Sequence, residues 1–300
     1  MSSLRKILIT GATGKQGGAL LDALVSRPNG SPFHIYALTR DKQSKSAQSL
    51  AQKPNVTILE GDLDDCHAIL KQIENPWGVF SVQLPLPNAT VEERRGKALV
   101  DAAAAAGVKY FVYTSTERGG VERSNQDPTN IAHFASKFNI ERHLQETAKT
   151  HVPEMAWTIV RPVAFYENLT PDFLGKAFST MWKQVGDKKV QYVSSTDVGK
   201  VAALAFEKPE IYRGQAISLA GDELTHDEGA AIFKEKTGKK MPETFGFVGS
   251  AIKVVLREQL GDMFMWFREK GFEADLPALR KEYPFLMDFG TWLEKESKFR

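Results

Sequence analysis

The chain has 300 residues, of which 42% are hydrophobic and 25% charged, the composition of a globular protein with room for one large or two small domains. With 39 basic and 37 acidic residues the formal net charge is +2, so no global field draws the chain to nucleic acid or to a membrane surface. Cys66 is the only cysteine, which excludes an intrachain disulfide framework and a cysteine-based zinc site. No signal-peptide core and no 18-residue apolar run are visible, so the expected location is cytoplasmic or nuclear, without a membrane partner.

The first predicted element is a buried strand at residues 7–9. The turn Gly11–Ala12–Thr13–Gly14–Lys15–Gln16–Gly17 follows it, and a helix is expected over 15–26. The spacing is G-x-x-G-x-x-G, and each glycine has a physical use. Gly11 lets the chain turn sharply out of the strand, Gly14 lets the backbone approach a pyrophosphate, and Gly17 lets the helix pack closely. Free N–H groups at the helix start then face the anion. Three glycines in an ordinary strand–helix turn are a weak signal; the strand before and the helix after are what raise it.

Next come a strand at 34–39, a short polar helix at 42–52, a strand at 56–60, a helix at 65–74 and a strand at 78–82. A helix with an alanine run spans 90–106 and is stopped by Gly107; a strand at 110–114, a long helix at 131–150 and a strand at 157–161 complete the series. Strands alternating with helices at this spacing predict βαβ units and a Rossmann-type, doubly wound parallel sheet. From residue 163 the pattern turns mostly helical, at 172–185, 197–207, 226–237 and 250–270, with strand-like pieces at 189–193 and 215–219. Asp197 reads as a helix N-cap and Gly238 as a helix-end cap. The expected organisation is an NAD(P)-binding Rossmann domain at 1–160. A smaller C-terminal substrate or partner lobe at 161–300 follows, some of whose strands return to the core. The cleft over the strands' carboxyl ends is where ligands bind in such sheets.

The second strand ends in ALTRD. A dinucleotide site that takes NAD usually carries an acidic residue here, about 20 residues past the glycines, for the ribose 2′-OH. Arg40 stands 23 residues after Gly17 instead, and its guanidinium can fork onto a 2′-phosphate, which favours NADP (NADPH). Lys15 and Lys42 add positive charge, whereas Asp41 would restore an acidic contact if the register shifted by one residue. A solvated surface charge is the plain alternative for Arg40. Asp62 and Leu63, after the third strand, are placed to meet an adenine amino group and ring; Asp62 reads equally well as a helix cap. Six scattered histidines show no metal-ligand spacing, and neither a G-x-S-x-G elbow nor a Walker motif occurs, so no metal, hydrolase or phosphate-hydrolysing site is expected. Thr114, Ser115 and Thr116 are either substrate-facing hydroxyls or turn caps.

GATGKQG, the TR pair at 39–40, GDLDD at 61–65, HFASK at 133–137 and RPVAFYEN at 161–168 together resemble the NmrA-like family, atypical relatives of the short-chain dehydrogenase/reductases. The resemblance implies an NADP-preferring Rossmann fold with a small C-terminal lobe. It also implies that Gln83, Leu84 and Pro85 after the fourth strand, and Arg94 on the next helix, touch the cofactor. Lys137 would reach the ribose and nicotinamide side, and Phe165, Tyr166, Glu167 and Asn168 would pack near the nicotinamide end. Typical short-chain reductases place a proton-donating tyrosine four residues before the lysine, one helical turn away. Here that position holds His133, an imidazole that can serve as a general acid or simply hydrogen-bond in the cleft. Tyr166 could supply the missing phenol, or form an aromatic wall. The expectation is an NADPH-dependent reductase of a small carbonyl, imine or enone. Its rival is an NADPH/NADP redox sensor that docks on a protein partner such as a transcription factor. A methyltransferase using S-adenosylmethionine is disfavoured by Arg40.

Overall fold

The structure, a computed structural model, describes residues 4–27, 30–84, 88–150, 155–244 and 261–299. In chain order the strands are β1 (Arg5–Ile9), β2 (Phe33–Thr39), β3 (Val56–Glu60), β4 (Gly78–Ser81), β5 (Tyr110–Thr114) and β6 (Ala156–Pro162). They continue with β7 (Ala164–Phe165), β8 (Val190–Val193), β9 (Gln215–Leu219) and β10 (Asp222–Leu224). Up to residue 150 the described helices are α1 (Lys15–Val25), α2 (Lys45–Ala51), α3 (Cys66–Lys71), α4 (Ala89–Ala105), α5 (Gly120–Gln126) and α6 (Ala132–Thr150). The main sheet runs β3-β2-β1-β4-β5-β6-β9, and every pairing from β3 to β6 is parallel. Strand order reverses between β1 and β4, the topological switch point at which such sheets bind ligands. Ile7, Leu8 and Ile9 are fully buried, as expected for a parallel strand covered on both faces.

The chain divides into two compact units. The first comprises Met1–Ser115, Ser136–Arg161 and Val198–Ile217; the second comprises Thr116–Ala135, Pro162–Asp197 and Ser218–Arg300. The division follows contacts and not a single position in the chain. Residues 198–217 join the first unit because helix Ser195–Glu207 lies tightly on helix α1 (Lys15–Val25): a Cβ on Gly199 would fall 2.5 Å from the backbone N of Leu20.

The first unit buries an apolar cluster in which Leu8, Val79, Phe111 and Ile159 from the sheet meet Leu99, Val100 and Leu144 from flanking helices. Cys66 is part of it; burial and the neighbouring Asp charges push its thiol up to about 12, and it donates to the Leu63 carbonyl at 3.2 Å. The second unit has a small sheet, β10-β8-β7, and an aromatic core in which Tyr166, Tyr192, Trp182, Phe289 and Trp292 stack or meet edge-on.

Several local expectations change. The helix expected at 65–74 is a 3-10 turn, Leu63–Asp65, followed by a short helix, Cys66–Lys71; Asp62 caps the first and Asp65 the second. Asp197 is not a cap but sits in the first turn of its helix, where its carboxylate accepts from the Met287 N–H at 2.7 Å. Gly238 does close helix His226–Thr237, with φ +68°. Helix Gly120–Gln126 was not expected: Gly119 and Gly120 both take positive φ, and the Glu117 carboxylate collects their N–H groups. The helix expected at 250–270 lies mostly outside the described residues, which contain its end as Asp262–Glu269. Among the described residues no helix is long and apolar enough to cross a membrane.

Candidate nucleotide-binding site

An open groove of about 290 Å³ lies in the first unit at the carboxyl ends of β1 to β4. Its lining comes from the segment after each strand: Gly11, Thr13 and Gly14; Arg40; Gly61, Asp62 and Leu63; Val82, Gln83 and Leu84. Arg95 reaches in from helix α4 (Ala89–Ala105). Of the expected cofactor residues, Pro85 lies outside the described residues. Ala12 is buried beneath the turn rather than on the groove, and Lys15 is exposed at the start of α1.

Thr10 fixes the base of the groove. Its hydroxyl donates to the Val82 carbonyl and accepts from the Val82 N–H, at 3.1 and 2.9 Å, locking the ends of β1 and β4 together. The turn then rises with Gly11 at φ +59°, a backbone conformation open to glycine at little cost. Gly17 has no space for a side chain at all: a Cβ there would stand 2.4 Å from the Gly11 oxygen and 2.7 Å from that of Thr10. Helix α1 begins at Gly14 with no side-chain cap and no acidic residue in its first turn. The positive dipole end of the helix thus meets no capping side chain from Gly14 and no first-turn carboxylate, an arrangement suited to a phosphate.

Arg40 is exposed, lines the groove and makes no ion pair among the described residues. Asp41, its acidic neighbour, is engaged locally, its carboxylate accepting from the Gln43 N–H at 2.8 Å. Lys42 is exposed, and its backbone N–H donates to Glu60. The charge facing the groove at the end of β2 is thus the guanidinium.

At the end of β3 two neighbouring arginines take different places. Arg94 pairs with Asp64 at 2.6 Å and does not line the groove; Arg95 does. Arg95 forks onto both oxygens of Asp64, at 2.9 and 2.7 Å, and lies 3.3 Å from Asp62. Hydrogen bonds from Arg95 and then Arg94 hold the Asp64 carboxyl well below the usual carboxylate range. Helical phase explains the difference, because adjacent residues on α4 point about 100° apart.

Lys137, on helix α6 (Ala132–Thr150), is largely buried. Its ammonium pairs with Glu92 of α4 at 2.6 Å and stands 3.5 Å from the carbonyl of Gln83, a groove residue. Gln83 itself is buried; its amide donates to Ser81 at 2.7 Å while its Oε1 has no partner among the described residues. Glu92 is fully buried, a role that its position in the charged run VEERRGK concealed. His133, one turn before Lys137, falls in the second unit, half-buried, with its ring edge-on to Phe134 at 4.8 Å.

The FYEN segment reads differently in the structure. Tyr166 is wholly buried in the second unit, stacked on Tyr192, Phe289 and Trp292, and its hydroxyl donates to the Met287 carbonyl at 3.2 Å. Burial, followed by the charges of Asp222, Asp288 and Asp197, raises its phenol well above the usual range. A phenol already spent on a backbone carbonyl inside an aromatic stack is a core residue, not a proton donor. Glu167 accepts from the Ser195 N–H at 2.8 Å and so caps the helix that starts there. Phe165 is half-buried, and Asn168 is exposed. Thr116 sits within reach of the Glu117 and Pro162 carbonyls, and the Ser115 N–H donates to Val160 at 2.8 Å, so both brace the strand ends.

A parallel sheet in the 3-2-1-4-5-6 order, with a glycine turn, an uncapped helix start and a groove at its switch point, defines a Rossmann-type nucleotide-binding protein. The chain belongs to the NmrA-like family, whose model matches residues 3–290. It is 30% identical over 257 residues to the NmrA-like family domain-containing oxidoreductase FrzB of Cladobotryum sp., covering 78% of this chain and 74% of that protein. Its fold matches that of NmrA, a negative transcriptional regulator solved in complex with NAD (TM-score 0.74, 19% identity, 98% and 96% of the two chains). The triphenylmethane reductase of Citrobacter sp., solved with NADP(H), fits as well (TM-score 0.74, 19% identity, 96% and 98%).

Proposed function

We propose that the groove receives NADP(H) and that the protein is an oxidoreductase reducing a small carbonyl, imine or enone. The observation that carries the reading is Arg40: an exposed guanidinium on the groove at the end of β2, with the adjacent carboxylate turned to its own backbone. The remaining donor set fits the same group. The α1 N-terminus and the bare Gly11 and Gly14 suit a pyrophosphate, Asp62 and Leu63 suit an adenine, and the orphan Gln83 oxygen lies in the wall. The family and the oxidoreductase FrzB point the same way. NADPH supplies the hydride in such chemistry. The chain's part is to bind the adenosine half against β2 and β3, and to hold an ammonium at Lys137 for the ribose.

A second reading, a redox sensor acting on a protein partner, is favoured by one specific observation. The position four residues before Lys137 has no tyrosine, and the other phenol considered, Tyr166, is locked in a core. NADPH oxidation over a panel of quinones, enones, aldehydes and cyclic imines separates the two. The enzyme reading expects turnover on at least one compound, with His133→Ala lowering it roughly 10²–10⁴-fold if the imidazole is the general acid. Tyr166→Phe should leave turnover within about twofold, because only a hydrogen bond to a carbonyl is lost. No turnover on any compound, together with an NADP-dependent change in affinity for a protein partner, replaces the enzyme by the sensor.

A further inference from the structure

The contact between α4 and α6 is built around one small residue. A Cβ on Gly96 would stand 2.4 Å from Ile140, a fully buried side chain, so only glycine lets the two helices come this close. One turn earlier on each helix, the same closeness brings Glu92 against Ser136 and Lys137. Both carboxylate oxygens of Glu92 are used: Oε1 by the Lys137 ammonium at 2.6 Å, and Oε2 by the Ser136 hydroxyl. Glu93, next along, accepts from Asn139 at 2.8 Å and keeps the helices in register.

A buried carboxylate is expensive to desolvate, and a well-packed apolar pair is often as stable or more so. Stability alone therefore does not account for Glu92. The geometry offers a second use: an ammonium has three donors, of which one goes to Glu92 and one points toward the Gln83 carbonyl on the groove wall. We infer that Glu92 is the positioning residue of the site, anchoring Lys137 through a buried ion pair so that its remaining donor is presented to a cofactor hydroxyl. The inference rests on the reading that the groove takes NADP(H). Glu92 itself touches neither cofactor nor substrate; it acts through Lys137, and Ser136 holds it in turn.

Fluorescence titration of NADPH against the full chain tests it as a double-mutant cycle. Glu92→Gln and Lys137→Met should each weaken NADPH binding about tenfold or more, the scale of a charge-assisted hydrogen bond. The double variant should be no weaker than Lys137→Met alone, and should melt higher than Glu92→Gln because the orphaned ammonium is gone. Ser136→Ala, a milder change that leaves both charges paired, should weaken binding severalfold and keeps the test open if Glu92→Gln does not fold. Wild-type affinity in both Glu92→Gln and Ser136→Ala, or losses that multiply in the double variant, would overturn the positioning role while leaving the groove's cofactor intact. A wild-type protein that does not bind NADPH would overturn the cofactor reading itself.

Discussion

Glu141→Ala is expected to lower stability by about 3–5 kcal/mol, the usual consequence of removing one partner of a buried ion pair. Glu141 on α6 and Arg161 at the end of β6 are 2% and 1% exposed at their side chains. The guanidinium donates through both Nε and Nη2, at 3.1 and 2.7 Å. With both charges sealed from water, solvent cannot screen the one that remains. A loss of this size should lower the melting temperature by roughly 6–20 °C. The companion variant, Glu141→Leu with Arg161→Met, should recover most of that loss, because an apolar pair of similar volume escapes the desolvation cost. A Glu141→Ala protein that melts within 2 °C or so of the wild type would mean the pair is open to water.

The second large effect concerns two glycines of the same turn that fail in different ways. Gly17→Ala places a methyl 2.4 Å from one backbone oxygen and 2.6 Å from the adjacent carbonyl carbon, so the turn itself must move. Overpacking of this kind costs about 1–3 kcal/mol or more. NADPH binding should disappear with it, since the helix N-terminus is displaced. Gly14, by contrast, is exposed, has an extended φ of −94° and would bring a Cβ only to 3.2 Å from the Gly11 oxygen. Gly14→Val should leave the melting temperature of the free protein nearly unchanged and abolish the rise produced by NADP, because its methyl groups fill groove space. Melting curves with and without NADP check both. A Gly14→Val protein still stabilised by NADP would show that the pyrophosphate lies elsewhere.

Much of the fold was legible because parallel strands are nearly continuous apolar runs and the helices between them carry their own stops. The strands expected at 56–60, 110–114 and 215–219 appear with those limits, and so does the helix at 226–237 with its threonine–glutamate capping box. The short strands β7 and β10 were not legible, since two and three residues carry no period. The placing of the glycine turn and Arg40 on the groove was legible because it follows from where β1 and β2 end. The placing of Arg95, Glu92 and Tyr166 was not, because it depends on what folds against them. Arg95 differs from Arg94 only in helical phase. Glu92 looks solvent-facing until Gly96 is seen to admit Ile140, and Tyr166 gives no local sign that residues 287–292 enclose it.

On the proposed function, the groove at the end of β2 selects a 2′-phosphate through Arg40. Parallel fluorescence titrations of NADPH and NADH, on the wild type and on Arg40→Ala, test it most directly. NADPH should bind the wild type at least tenfold more tightly, a difference of about 1.4 kcal/mol. Arg40→Ala should erase most of that preference and leave NADH affinity nearly unchanged. Equal affinities for the two cofactors in the wild type, or a preference for NADPH that survives the loss of Arg40, would contradict the account.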